Sequence, residues 1–117
     1  RHPTLLSAGI KESGAGIDTA FVIRREIDEQ KALAAIIREP VTKRTLRVYS
    51  SQPALILYTG NFLNNELGRN GDVYNTFAGL CLESQSFPDA VHHNEFPNTV
   101  IKAGELYSRE TLWHFSF

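Results

Sequence analysis

Leu55-Ile56-Leu57-Tyr58 constrains the fold most, because side chains that are apolar on both faces of a strand belong in the middle of a sheet that is covered on both sides. The surrounding pattern agrees. From Gly16 onward, short apolar segments are separated by turn chemistry, with no internal repeat or low-complexity stretch. Strands are predicted at residues 20–23, 33–38, 45–49, 55–58, 80–83 and 105–117. Residues 26–35 contain good helix formers, but Ile27 has no apolar partner stripe, so a turn and then a strand ending before Pro40 is the reading. In residues 45–49, Leu46 and Val48 share one face while Arg47 and Tyr49 share the other. Thr111, Trp113, Phe115 and Phe117 likewise fall on one face of a closing strand. Residues 60–78, rich in Asn and Gly, and residues 86–98, with Pro88 and Pro97, are long excursions of the kind that tend to be functional. The predicted class is all-β, a sandwich or barrel rather than a parallel α/β sheet.

Composition narrows the function classes. Twelve Lys and Arg against 13 Asp and Glu leave a net charge of −1, and the basic residues are scattered, so no broad basic field exists for nucleic acid. No apolar run approaches the roughly 20 residues of a membrane span, and no signal or lipidation pattern is present. Cys81 is the single cysteine and cannot form an internal disulfide, which fits a reducing, cytoplasmic setting. There is no methionine, so the initiator is not included; its removal, trimming or cleavage from a precursor would each account for that.

Glu83 is the first candidate for chemistry, since it ends the apolar stretch Gly79-Leu80-Cys81-Leu82 and would share a face with Gly79 and Cys81. Burial there would raise its pKa and make it a competent general base near neutral pH; an exposed Glu at the end of an edge strand is the bland alternative. Asp18 follows the flexible Ser13-Gly14-Ala15-Gly16 and would either accept hydrogen bonds from the hydroxyls of a ligand or cap its own turn. His92-His93 suggests a metal site, but neighbours in extended chain diverge and no further ligand lies at a familiar spacing, so no metal is expected. Residues 68–71 lack the Gly-Lys-Ser/Thr ending of a phosphate loop and read as a turn. No Gly-x-Ser-x-Gly elbow supports a serine nucleophile. Tyr58, Phe87, Tyr107 and Trp113 could stack on a sugar, although strand aromatics usually form core.

Read as strings, these segments resemble the aldose 1-epimerase (galactose mutarotase) family over nearly the whole chain. Gly16-Ile17-Asp18-Thr19-Ala20-Phe21 is similar to the family's Gly-Phe-Asp-His-Asn-Phe. Residues 47–53 followed by Tyr58-Thr59-Gly60-Asn61-Phe62-Leu63 resemble Val-Tyr-Thr-Thr-Gln-Pro and Tyr-Thr-Gly-Asn-Phe-Leu. Residues 79–90, Phe96-Pro97 and Gly104-Glu105-Leu106-Tyr107 follow the family's closing pattern in order and at matching intervals. The resemblance implies the C-terminal third or so of a large antiparallel β-sandwich with a sugar cleft on one sheet. It also implies that Glu83 is the base removing the anomeric hydroxyl proton, that Asp18 contacts sugar hydroxyls, and that no cofactor is needed.

The family's acid histidine, a second substrate-contacting histidine and a sugar-binding arginine belong to its N-terminal part, and none of those motifs occurs here. Arg1-His2-Pro3-Thr4 resembles the family's Arg-x-Pro segment instead, so His2 is not the acid. A companion N-terminal segment carrying that histidine is therefore an expected partner, beside a monosaccharide of the galactose or glucose class. Without it, the isolated chain is expected to fold poorly, exposing strand edges and apolar faces, and to be inactive. Two departures affect the substrate: Ile56 stands where the family usually has a glutamine, and Asn75-Thr76-Phe77 stands where Pro-Lys-His is usual. Two other readings remain open: a non-catalytic carbohydrate-binding relative, and the mutarotase end of a protein fused to a nucleotide-sugar epimerase.

Overall fold

The computed structural model describes residues 3–27 and 29–117. Arg1 and His2, read above as part of the Arg-x-Pro segment, lie outside the described residues. Among the described residues, one α-helix, α1 (Leu6–Ser13), precedes eight strands: β1 (Asp18–Val22), β2 (Ala32–Arg38), β3 (Thr45–Ser50), β4 (Ala54–Tyr58), β5 (Glu66–Leu67), β6 (Val73–Tyr74), β7 (Cys81–Gln85) and β8 (Thr111–Ser116). The chain is all-β apart from that helix, as expected.

The differences from the predicted elements have local causes. α1 was not predicted; it buries no residue and stops at Gly14, whose left-handed backbone (φ 76°) lets its N–H reach the Ile10 carbonyl. β1 begins two residues earlier than predicted, because Ile17 is already held to Thr59. The predicted excursion at residues 60–78 contains a two-residue hairpin, β5 against β6, around a single 3₁₀ turn at Arg69–Gly71. The closing strand is confined to β8. Residues 105–110 are irregular, and the Ser51 amide and hydroxyl hold the Glu110 backbone just before β8.

Three sheets result, ordered β1-β4-β7, β2-β3-β8 and β5-β6. β4, apolar on both faces, is the middle strand of the first, as predicted. The chain also divides into two compact units, one formed by the chain up to Thr19 with Ile56–Glu83, the other by Ala20–Leu55 with Ser84–Phe117.

In the second unit, β3 pairs antiparallel with β2 and with β8. Register rows place Ala35, Val48 and Trp113 together, and Ile37, Leu46 and Phe115 together, on one face. Tyr49 aligns with Leu33 and Leu112 on the other. A bulge between Leu33 and Ala35 keeps Ala32 opposite Ser50 and Ala35 opposite Val48. Val48 is fully buried, which stabilises by about 1.5–3 kcal/mol for a side chain of this size. The turn between β2 and β3 is organised by Glu39. Its carboxylate accepts from the Thr42 hydroxyl and from the Val41 and Thr42 amides, which lowers its pKa from 4.5 to about 2. Behind the β3–β4 turn, Arg25 donates to the carbonyls of Ser50 (3.2 Å) and Gln52 (3.1 Å), and the Gln52 side-chain Nε2 donates to the Tyr107 hydroxyl (3.1 Å).

The buried apolar side chains among the described residues are Ile23, Ala32, Val48, Ala54, Leu55 and Ala90. All belong to the second unit. In the first unit, the buried positions are polar or glycine, Thr59 and Gly60.

Candidate active site

Asp18 opens β1, Ile56 is the central residue of β4, and Glu83 is the central residue of β7. The three sequence-predicted site residues therefore stand on the three strands of one sheet, within the first unit. Ile17 exchanges hydrogen bonds with Thr59, and Ile23 donates to the Pro53 carbonyl; both pairs fit one antiparallel register without a bulge. That register sets Asp18 beside Tyr58, so strand alternation puts Asp18, Tyr58 and Ile56 on a common face. Glu83 is carried by the strand next to β4.

Glu83 is exposed. Of the two sequence readings, a buried carboxylate and an exposed Glu on an edge strand, the second matches its position among the described residues. β7 lies at the edge of its three-stranded sheet among the described residues. Asp18 is exposed as well. Among the described residues, neither carboxylate takes part in a side-chain hydrogen bond or an ion pair, so both are available to a ligand. Ile56 is half-buried. Cys81 is a free, exposed thiol two residues from Glu83 on β7.

Two glycines shape the backbone here. Gly16 has φ 93°, and a Cβ on it would lie 2.5 Å from the Asn61 Cβ and 3.0 Å from the Phe77 ring. Gly60 has φ 67°, and a Cβ there would lie 2.8 Å from the Gly79 carbonyl oxygen. Only glycine allows these close approaches, which join the Gly16, Gly60 and Gly79 segments around the candidate residues. The Phe62 amide donates to the Tyr58 hydroxyl (3.1 Å), and the two rings stack with centroids 6.2 Å apart, which turns the Gly60-Asn61 loop back over β4.

His92, His93, Phe87, Tyr107 and Trp113 belong to the second unit. His92, on the 3₁₀ turn Ala90–His92, pairs with Asp89, and the following His93 lies 3.0 Å from Glu95 and 3.7 Å from Asp89, all with exposed side chains. Among the described residues, no group of three or more His, Cys, Asp or Glu is arranged to hold a metal. Of the aromatics, Tyr107 is half exposed against Arg109 and Gln52, Phe87 packs against Phe96, and Trp113 lies in a β8 row of the second unit. A cavity of about 230 Å³ at the end of the β2-β3-β8 sheet, beside Ile37, Leu46 and Phe115, includes none of the candidate site residues. No helix among the described residues is long and apolar enough to cross a membrane.

Sequence reasoning missed Thr59. Its hydroxyl accepts from the Ile17 amide at 2.8 Å, whereas in the sequence it stands only within Tyr58-Thr59-Gly60-Asn61-Phe62-Leu63. The signal was present in a Thr between a strand and a turn glycine, where a short hydroxyl can replace a backbone acceptor.

Comparison with known proteins gives matches over most of the chain. The family model described as Aldose 1-epimerase matches residues 1–114. The chain is 40% identical over 102 residues to the galactose mutarotase of Mus musculus, a match covering 86% of this chain and 29% of that protein. It is 39% identical over 118 residues to the galactose mutarotase of Sus scrofa, covering 99% of this chain and 34% of that one. To the aldose 1-epimerase of Escherichia coli (strain K12) it is 37% identical over 102 residues, covering 86% and 29%. The chain therefore spans about a third of the length of these curated relatives.

Proposed function

This chain belongs to the aldose 1-epimerase family, and from that premise we propose that it supplies the base half of an acid–base site that interconverts the α and β anomers of free hexoses such as galactose or glucose. Glu83 takes the proton from the anomeric hydroxyl. The ring opens as an acid protonates the ring oxygen, the aldehyde carbon rotates, and reclosure delivers the other anomer. Asp18 accepts hydrogen bonds from sugar hydroxyls and orients the ring against Glu83. The observation that carries this reading is the convergence of Asp18, Ile56 and Glu83 on three strands of one sheet, with both carboxylates unengaged.

The acid is a histidine of a companion segment in this reading. General acid and base each contribute roughly 10²–10⁴-fold, so a base alone leaves little activity. The same segment would cover Glu83, which is exposed in this chain. The absence of any buried apolar side chain among the described residues of the first unit supports a further layer of protein at that unit.

A second reading, a carbohydrate-binding protein without catalysis, is favoured by Ile56, which offers neither donor nor acceptor on the Asp18 face. Polarimetry on freshly dissolved α-galactose and α-glucose separates the two when paired with calorimetry on the complete protein. Acceleration of the approach to equilibrium rotation supports the enzyme. Heat of sugar binding without acceleration supports the binding protein.

A further inference from the structure

We infer that Thr59 is a positioning residue that seats Asp18 for sugar binding, an inference that rests on the reading of Asp18 as a substrate contact. Thr59 is 1% exposed and stands at the end of β4, where the chain turns into the left-handed Gly60. Its amide donates to the Ile17 carbonyl at 2.9 Å, as a sheet ladder would. The return bond is different. The Ile17 amide donates to the Thr59 hydroxyl at 2.8 Å, so a side-chain oxygen takes the place of a backbone carbonyl in the pairing. The hydroxyl proton then has two acceptors within reach, the Ile17 carbonyl at 3.2 Å and Asn61 Oδ1 at 3.3 Å.

Ile17 is therefore gripped on both its amide and its carbonyl by one residue, and the next side chain along the strand is Asp18. The preceding residue is constrained too, since Gly16 lies so close to Asn61 that any side chain on it would overlap. Thr59 and Asn61 thus form a template against which the Gly16-Ile17-Asp18 backbone is laid down. Asp18 itself receives no side-chain hydrogen bond among the described residues, so its direction depends on this backbone clamp rather than on a partner of its own. Replacing the hydroxyl by a methyl would leave the Ile17 amide without its acceptor beside a buried side chain, and the strand end carrying Asp18 would be released.

The consequence is specific to binding. A contact to sugar hydroxyls that is equally present in the ground and transition states changes KM and leaves kcat nearly constant. In the complete protein, T59V is expected to raise KM for galactose or glucose about tenfold with kcat within about twofold, and T59S, which keeps the hydroxyl, is expected to restore the wild-type KM. D18A should raise KM in the same direction, and D18A/T59V should be no worse than D18A alone, because the clamp has nothing left to position. Melting temperatures are taken on each variant, with T59A carried through the same cycle should valine prevent folding. A normal KM in T59V alongside a raised KM in D18A overturns the inference while leaving the role of Asp18 intact. So does a T59V effect that multiplies in full onto D18A, or a T59S protein that loses binding at an unchanged melting temperature. A normal KM in D18A rejects the reading of Asp18, and this inference falls with it.

Discussion

At Glu39, three donors converge on one carboxylate, and the sign of the resulting pH dependence follows. The folded pKa is depressed to about 2 from 4.5, so the stabilisation is fully present above about pH 4.5 and is lost as pH falls through about 2. Melting curves of the complete protein and of E39Q should therefore differ at neutral pH and converge on acidification across that window; a constant difference would show that the turn does not depend on the charge. Ile56 is the residue at which substrate preference is most open to change. Restoring an amide with I56Q places a donor and acceptor on the Asp18 face, and is expected to improve kcat/KM for a matching hexose by about 10-fold, in line with the ~1–3 kcal/mol of a pocket contact. Equal or poorer kcat/KM for both galactose and glucose would show that this position does not meet the sugar.

Among the elements, the β3–β4 corner depends on Arg25, which ties the Ser50 and Gln52 carbonyls together. R25M is expected to cost about 1.5–3 kcal/mol through two lost charge-assisted hydrogen bonds, read as a lower urea midpoint with the same slope. The strands of this region were legible because their period is simple. Leu46 and Val48 against Arg47 and Tyr49 is an alternation that survives into the register, and the apolar 55–58 run became the middle strand of its sheet. The β5–β6 hairpin and α1 were not legible, because each is short and neither buries a side chain that would leave a periodic trace. The candidate site was legible as strings around Asp18 and Glu83. Its clamp was not, since pairing Ile17 with the Thr59 hydroxyl is a contact between residues 42 positions apart.

For the molecule as a whole, apolar surface left open is the dominant fact. Trp113 (46% exposed), Phe115 (63%) and Leu112 (51%) lie on β8, an edge strand of its sheet, and edges of this composition pair with other chains. The isolated 117-residue chain is expected to self-associate, so sedimentation should show concentration-dependent species; a monomer with a cooperative melt would contradict the need for a companion segment. Co-expression with that segment should suppress the association. The most direct test of the chemistry is the rate at which the complete protein and its E83Q variant bring freshly dissolved α-galactose to equilibrium rotation. A base at position 83 predicts a loss of roughly 10²–10⁴-fold in E83Q with sugar binding retained. An E83Q protein that exchanges anomers at the wild-type rate would contradict it.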